Sequence, residues 1–154
     1  MTENFRTLSS TSENCLYIMN QSEGKIRLIT DFGNMGGAEK YDELAKIIPY
    51  SDSIHAKPYY DAEGIPDEEE FRRCLNLLKQ ANYDGPIVII YDGPGDMWEG
   101  IDRVRKIGKD YLASIGTINR GKPVHHSGVN DVPVALANSF FKWYMERNNE
   151  IRVE

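Results

Sequence analysis

The residues best suited to chemistry fall at the ends of three apolar runs. KIRLITDFGN ends its run in Asp31 and breaks on a glycine, SDSIHAKPYYD carries His55 and Lys57 after a short run, and GPIVIIYDGPG carries Tyr91 and Asp92 after a longer one. Carboxylate, imidazole and ammonium groups bind polar ligands and move protons. Each run reads as a strand and is followed, after a loop, by a helical pattern, so the chain predicts βαβ units on a parallel sheet. In such sheets the ligand site lies at the carboxyl ends of the strands, which is where these residues fall.

The elements that must position them follow from periodicity and punctuation. Residues 11–20 read as a short helix with Ser10 or Thr11 as N-cap, while MTENF ahead of them is too short for a strand. Ile26, Leu28 and Ile29 supply the first strand. Residues 40–48 place Tyr41, Leu44, Ala45 and Ile48 at helical spacing until Pro49 stops them, and residues 52–57 form the next strand. Pro66 and Asp67 open a helix whose first turn, Glu68 to Glu70, suits the positive end of the macrodipole. Residues 86–91 are the most apolar strand of all, and residues 97–112 an amphipathic helix with Trp98, Ile101, Val104 and Ile107 near one face. Residues 1–115 thus read as an α/β domain of about three parallel strands with flanking helices, and residues 116–154 as a polar loop plus a C-terminal amphipathic helix.

Composition narrows the function classes. At 154 residues, 40% hydrophobic and 27% charged, the chain can bury one real core. No apolar run approaches the roughly 20 residues of a membrane span, and the polar start lacks a signal-peptide pattern, so a cytoplasmic location is expected. Lys plus Arg total 18 against 24 Asp plus Glu, a net charge of -6 without a basic cluster, which argues against nucleic acid as the main partner. Cys15 and Cys74 show no CxxC or Cys/His ligand spacing and read as reduced core residues. His125 and His126, adjacent in a polar loop, read as solvated rather than as a metal pair.

ENF near the start, LITDFGN, the IHAK strand and YDGPIVIIYDGPGDMWEGI together resemble, in order and spacing, the C-terminal half of the xylose isomerase-like TIM barrels. That family holds the sugar phosphate isomerases and epimerases and also endonuclease IV. The resemblance implies a divalent metal (Mn, Mg, Co or Zn) at the barrel mouth, with Glu3, Asp31 and His55 as ligands from successive strands. A fourth ligand, a glutamate in the family, falls at Ile90, which cannot bind a metal; Asp92 lies about 7 Å further along an extended strand. The implied chemistry is metal-assisted proton transfer on a sugar or polyol, with Glu3 and Lys57 as catalytic groups and Asn34, Lys57 and Asp92 as substrate contacts. Asp31 has a local alternative, a turn bond to the Gly33–Asn34 backbone, and Lys57 has one in pairing with Asp61 or Glu63.

Eight βα units need roughly 250 residues, so a chain of this length fits only a partial (β/α)8 barrel. Its open sheet edges and an apolar barrel-lining face predict a homo-oligomer, or association with a complementing half-barrel. With one ligand missing, the alternative to an isomerase is a non-catalytic remnant that binds a small molecule or serves as an interaction module. Endonuclease activity ranks below both because the chain is acidic.

Overall fold

The structure, a computed structural model, describes residues 1–114. The loop and helix expected over residues 116–154, with His125 and His126, lie outside the described residues. Four strands, β1 (Thr2–Glu3), β2 (Leu28–Asp31), β3 (Ser51–Ala56) and β4 (Ile87–Ile89), form one sheet in chain order, every neighbouring pair parallel. Between and after them run α1 (Ser12–Gln21), α2 (Lys40–Ile47), α3 (Glu68–Gln80) and α4 (Met97–Ser114), packed α1 on α2, α2 on α3 and α3 on α4. The expected α/β class, with a parallel sheet and flanking helices, is what the chain adopts. None of the described helices is long and apolar enough to cross a membrane.

Local chemistry sets the boundaries. The Thr11 hydroxyl accepts the Asn14 N–H at 3.2 Å and starts α1, and the Asp67 carboxylate accepts the Glu70 N–H at 3.0 Å and starts α3. Pro49 does end α2, but it sits inside a single 3-10 turn, Ile48–Tyr50, that runs straight into β3. Leu28 of β2 and Ile54 and Ala56 of β3 are buried in one apolar cluster with Leu44, Phe71 and Val104 of the helices. Cys15 and Cys74 are free and buried, as expected.

Two expectations need correcting, on the start of the chain and on the sheet face opposite the helices, and β4 adds a finding of its own. MTENF does contain a strand: Thr2 and Glu3 pair with Leu28 and Ile29, and the Thr2 N–H donates to the Arg27 carbonyl at 2.7 Å. Two residues carry no period, so only the neighbouring strand makes them extended. The most apolar strand is also not the most buried. Ile87 and Val88 are 40% and 44% exposed, because β4 ends the described sheet and its outer edge pairs with no strand among the described residues. Finally, the face opposite the helices is not simply apolar. The register Glu3↔Ile29, Ile29↔Ser53 and Asp31↔His55 puts Glu3, Asp31, Ser53 and His55 on it together with Ile29.

One ion pair lies inside the helical layer. Lys40 Nζ sits 2.5 Å from Glu70 Oε1, with both side chains under a tenth exposed, and stacks 3.8 Å over the Tyr59 ring. Cys74 donates its thiol to the same Glu70 oxygen at 3.1 Å. Removing one partner strands a buried charge, so Glu70→Ala should destabilise the fold by about 3–5 kcal/mol, whereas Lys40→Met with Glu70→Leu should cost far less. Urea denaturation of the single and double variants measures the difference.

Candidate metal centre

The site forms where β1, β2 and β3 end. Parallel register sets Asp31 directly opposite His55, while Glu3 lies opposite Ile29, two residues short of Asp31 on the same face. A strand of two residues is held there by its successor. Asn4, fully buried, donates its Nδ2 to the Asp31 carbonyl at 2.9 Å and accepts the Asp31 N–H on Oδ1 at 2.6 Å. One side chain thus satisfies both backbone groups of the central carboxylate residue and keeps Glu3 beside it.

Beyond Asp31 the chain makes a 3-10 turn, Phe32–Asn34, in which Asp31 Oδ1 accepts the Gly33 N–H at 2.7 Å. The local alternative foreseen for Asp31 is therefore real, and it occupies only one oxygen. Oδ2 lies 3.4 Å from Lys57 Nζ and 3.9 Å from His55 Nδ1. The turn brings Asn34 over Glu3, where its Nδ2 donates to Glu3 Oε1 at 3.0 Å and its Oδ1 accepts from Lys57 Nζ at 2.8 Å. His55 Nδ1 lies 3.3 Å from Glu3 Oε1. Glu3, Asn34, Lys57, Asp31 and His55 so form a continuous ring of polar contacts. Gly33 makes room for it: a Cβ at this position would overlap the Lys57 side chain.

Glu3, Asp31 and His55 each offer a ligand atom, and these atoms lie within 4.8 Å of one another. Electrostatics leaves the group short of positive charge. Burial pushes the Asp31 carboxyl up, the Lys57 ammonium and the Gly33 N–H pull it back, and Glu3 adds to the rise, leaving it at about 6. A divalent cation among these donors would relieve that imbalance.

All the expected site residues converge except the fourth ligand. Lys57 pairs with Asp31 and, at 3.5 Å, with Asp92, rather than with Asp61 or Glu63. Asp92 reaches this lysine but is not one of the three clustered metal donors. Ile90 continues the β3–β4 ladder, its N–H donating to the Ala56 carbonyl at 3.3 Å, and its own carbonyl accepts the Tyr60 hydroxyl at 2.9 Å. The residue missed in the sequence is Asn4. Its signal was there, an amide directly after the candidate ligand Glu3, but a single side chain bridging 27 positions has no local pattern. No family model matches the chain, and no curated protein matches it.

Asn4→Ala should leave both backbone groups of Asp31 unpaired in a buried position, at a cost of about 1–3 kcal/mol. Chemical denaturation reads that cost. A wild-type midpoint for the variant would mean that the bridge contributes nothing.

Proposed function

We propose that this chain carries the divalent-metal site of a sugar or sugar phosphate isomerase or epimerase, on half of a (β/α)8 barrel. The observation behind it is the convergence of Glu3, Asp31 and His55 at the carboxyl ends of three successive parallel strands, with ligand atoms within 4.8 Å of one another. Two carboxylates and one imidazole suit Mn, Mg, Co or Zn, and among the described residues the buried Asp31 has only Lys57 as a nearby ammonium to balance it. A bound ion would supply polarisation of a sugar carbonyl and its neighbouring hydroxyl. Glu3, half-buried and oriented by the Asn34 amide, is the group to move a proton at the adjacent carbon. Lys57 holds a substrate oxygen, with Asp92 and Asn34 beside it.

Ile90 favours a second use of the same site. Epimerisation that relies on a carboxylate on each side of the substrate carbon lacks its second one here, so the chain would bind a polyol without turning it over. Solvent deuterium separates the two uses: Mn-loaded protein that exchanges the proton next to the carbonyl of a ketopentose is an isomerase, and one that binds the sugar with no exchange is a binding module.

Mn titration tests the centre itself. About one ion should bind per chain, Asp31→Asn and His55→Ala should each weaken it at least about tenfold, and Ile90→Glu should strengthen it. Absence of saturable binding would overturn the metal site. A second copy of the chain would add the four strands that a barrel of eight requires, so light scattering should give a mass near twice 17.6 kDa. Val88→Lys on the exposed last strand should lower it.

A further inference from the structure

Beside the ligand cluster lies a cavity of about 260 Å³ lined by Lys57, Tyr59, Tyr60, Asp92 and Gly93 among others. We propose, building on the sugar site above, that this cavity takes the unphosphorylated hydroxyl chain of a neutral polyol and rejects a phosphate, despite its position next to a glycine-rich loop.

Three observations exclude a phosphate. Among the described residues lining the cavity Lys57 is the one cation, and its ammonium donates to Asn34 Oδ1 at 2.8 Å with the Asp31 and Asp92 carboxylates 3.4 and 3.5 Å away. These two carboxylates flank the ammonium closely, and a dianion placed there would meet their negative charge. The start of α4, where backbone N–H groups would otherwise bind an anion, is closed by the chain itself. Trp98 and Glu99 both donate their N–H to Asp96 Oδ1 at 2.9 Å, so a carboxylate stands where a phosphate would sit. In the loop between β4 and α4, Gly93 is packed against aromatic rings. A Cβ on Gly93 would lie 2.9 Å from both the Tyr60 and Tyr91 rings, and the Tyr91 hydroxyl donates to the Pro94 carbonyl.

The same wall suits a neutral polyol. Each hydroxyl of a diol both donates and accepts, and Lys57 with Asp92 presents a donor and an acceptor side by side. Asp92 is 61% exposed, so its carboxylate can leave the lysine for a hydroxyl without losing a buried contact. The hydroxyls of Tyr59 and Tyr60 donate to the Met35 and Ile90 carbonyls, at 2.8 and 2.9 Å, and their rings offer apolar surface for C–H groups.

Calorimetry of the full chain with D-ribulose and D-ribulose 5-phosphate, with and without saturating Mn, decides the matter. The neutral sugar should bind at least about tenfold more tightly than its phosphate ester, and Asp92→Asn should narrow that gap by weakening the first and strengthening the second. Equal or tighter binding of the ester, or binding of neither sugar, would overturn the proposal. Mn titration without sugar is read separately: if Mn fails to bind, the metal centre falls, and the preference between the two sugars is still measured in the Mn-free protein.

Discussion

The mouth of this sheet depends on one side chain, the Asn4 amide bonded to both backbone groups of Asp31. β1 has two residues and could not hold a position by ladder bonds alone. The amide does what a further pair of strand residues would do, and it does so in a fully buried setting, where an unmade bond is expensive. Glu3 therefore stands beside Asp31 as a fixed neighbour, although it lies near the start of the chain. The ring through Asn34, Lys57 and His55 follows from that placement.

Two buried carboxylates among the described residues are treated in opposite ways. Glu70 is met inside the core by Lys40 and by the Cys74 thiol, and together they tie α2 to α3. Asp31 is met from one side by a turn N–H and at longer range by Lys57, which it shares with Asn34 and Asp92. The first arrangement pairs its charges inside the core, with Glu70 Oε2 left without a hydrogen bond. The second leaves an oxygen directed at an imidazole and near a second carboxylate, the condition in which a cation or a substrate hydroxyl gains most.

Much of this was legible in the chain. The runs around LITDFGN and SDSIHAK gave strands ending at Asp31 and near His55, and helix starts at Thr11 and Asp67 followed from capping chemistry, which is local. β1 was not legible because its extension comes from β2. The exposure of Ile87 and Val88 was not legible either, since composition reports which residues can be buried and not whether another layer covers them.

The sequence by itself determined the α/β alternation, the placement of Asp31, His55 and Lys57 at strand ends, and the absence of a carboxylate at Ile90, because periodicity, caps and residue identity act over a few neighbours. Only the tertiary structure decided that Glu3 joins them, that Asn4 is the clamp, and that Lys57 chooses Asp31 and Asp92 over Asp61 and Glu63. Those choices turn on strand register and on contacts across 26 to 52 positions of chain, where geometry, not spacing, sets which groups meet.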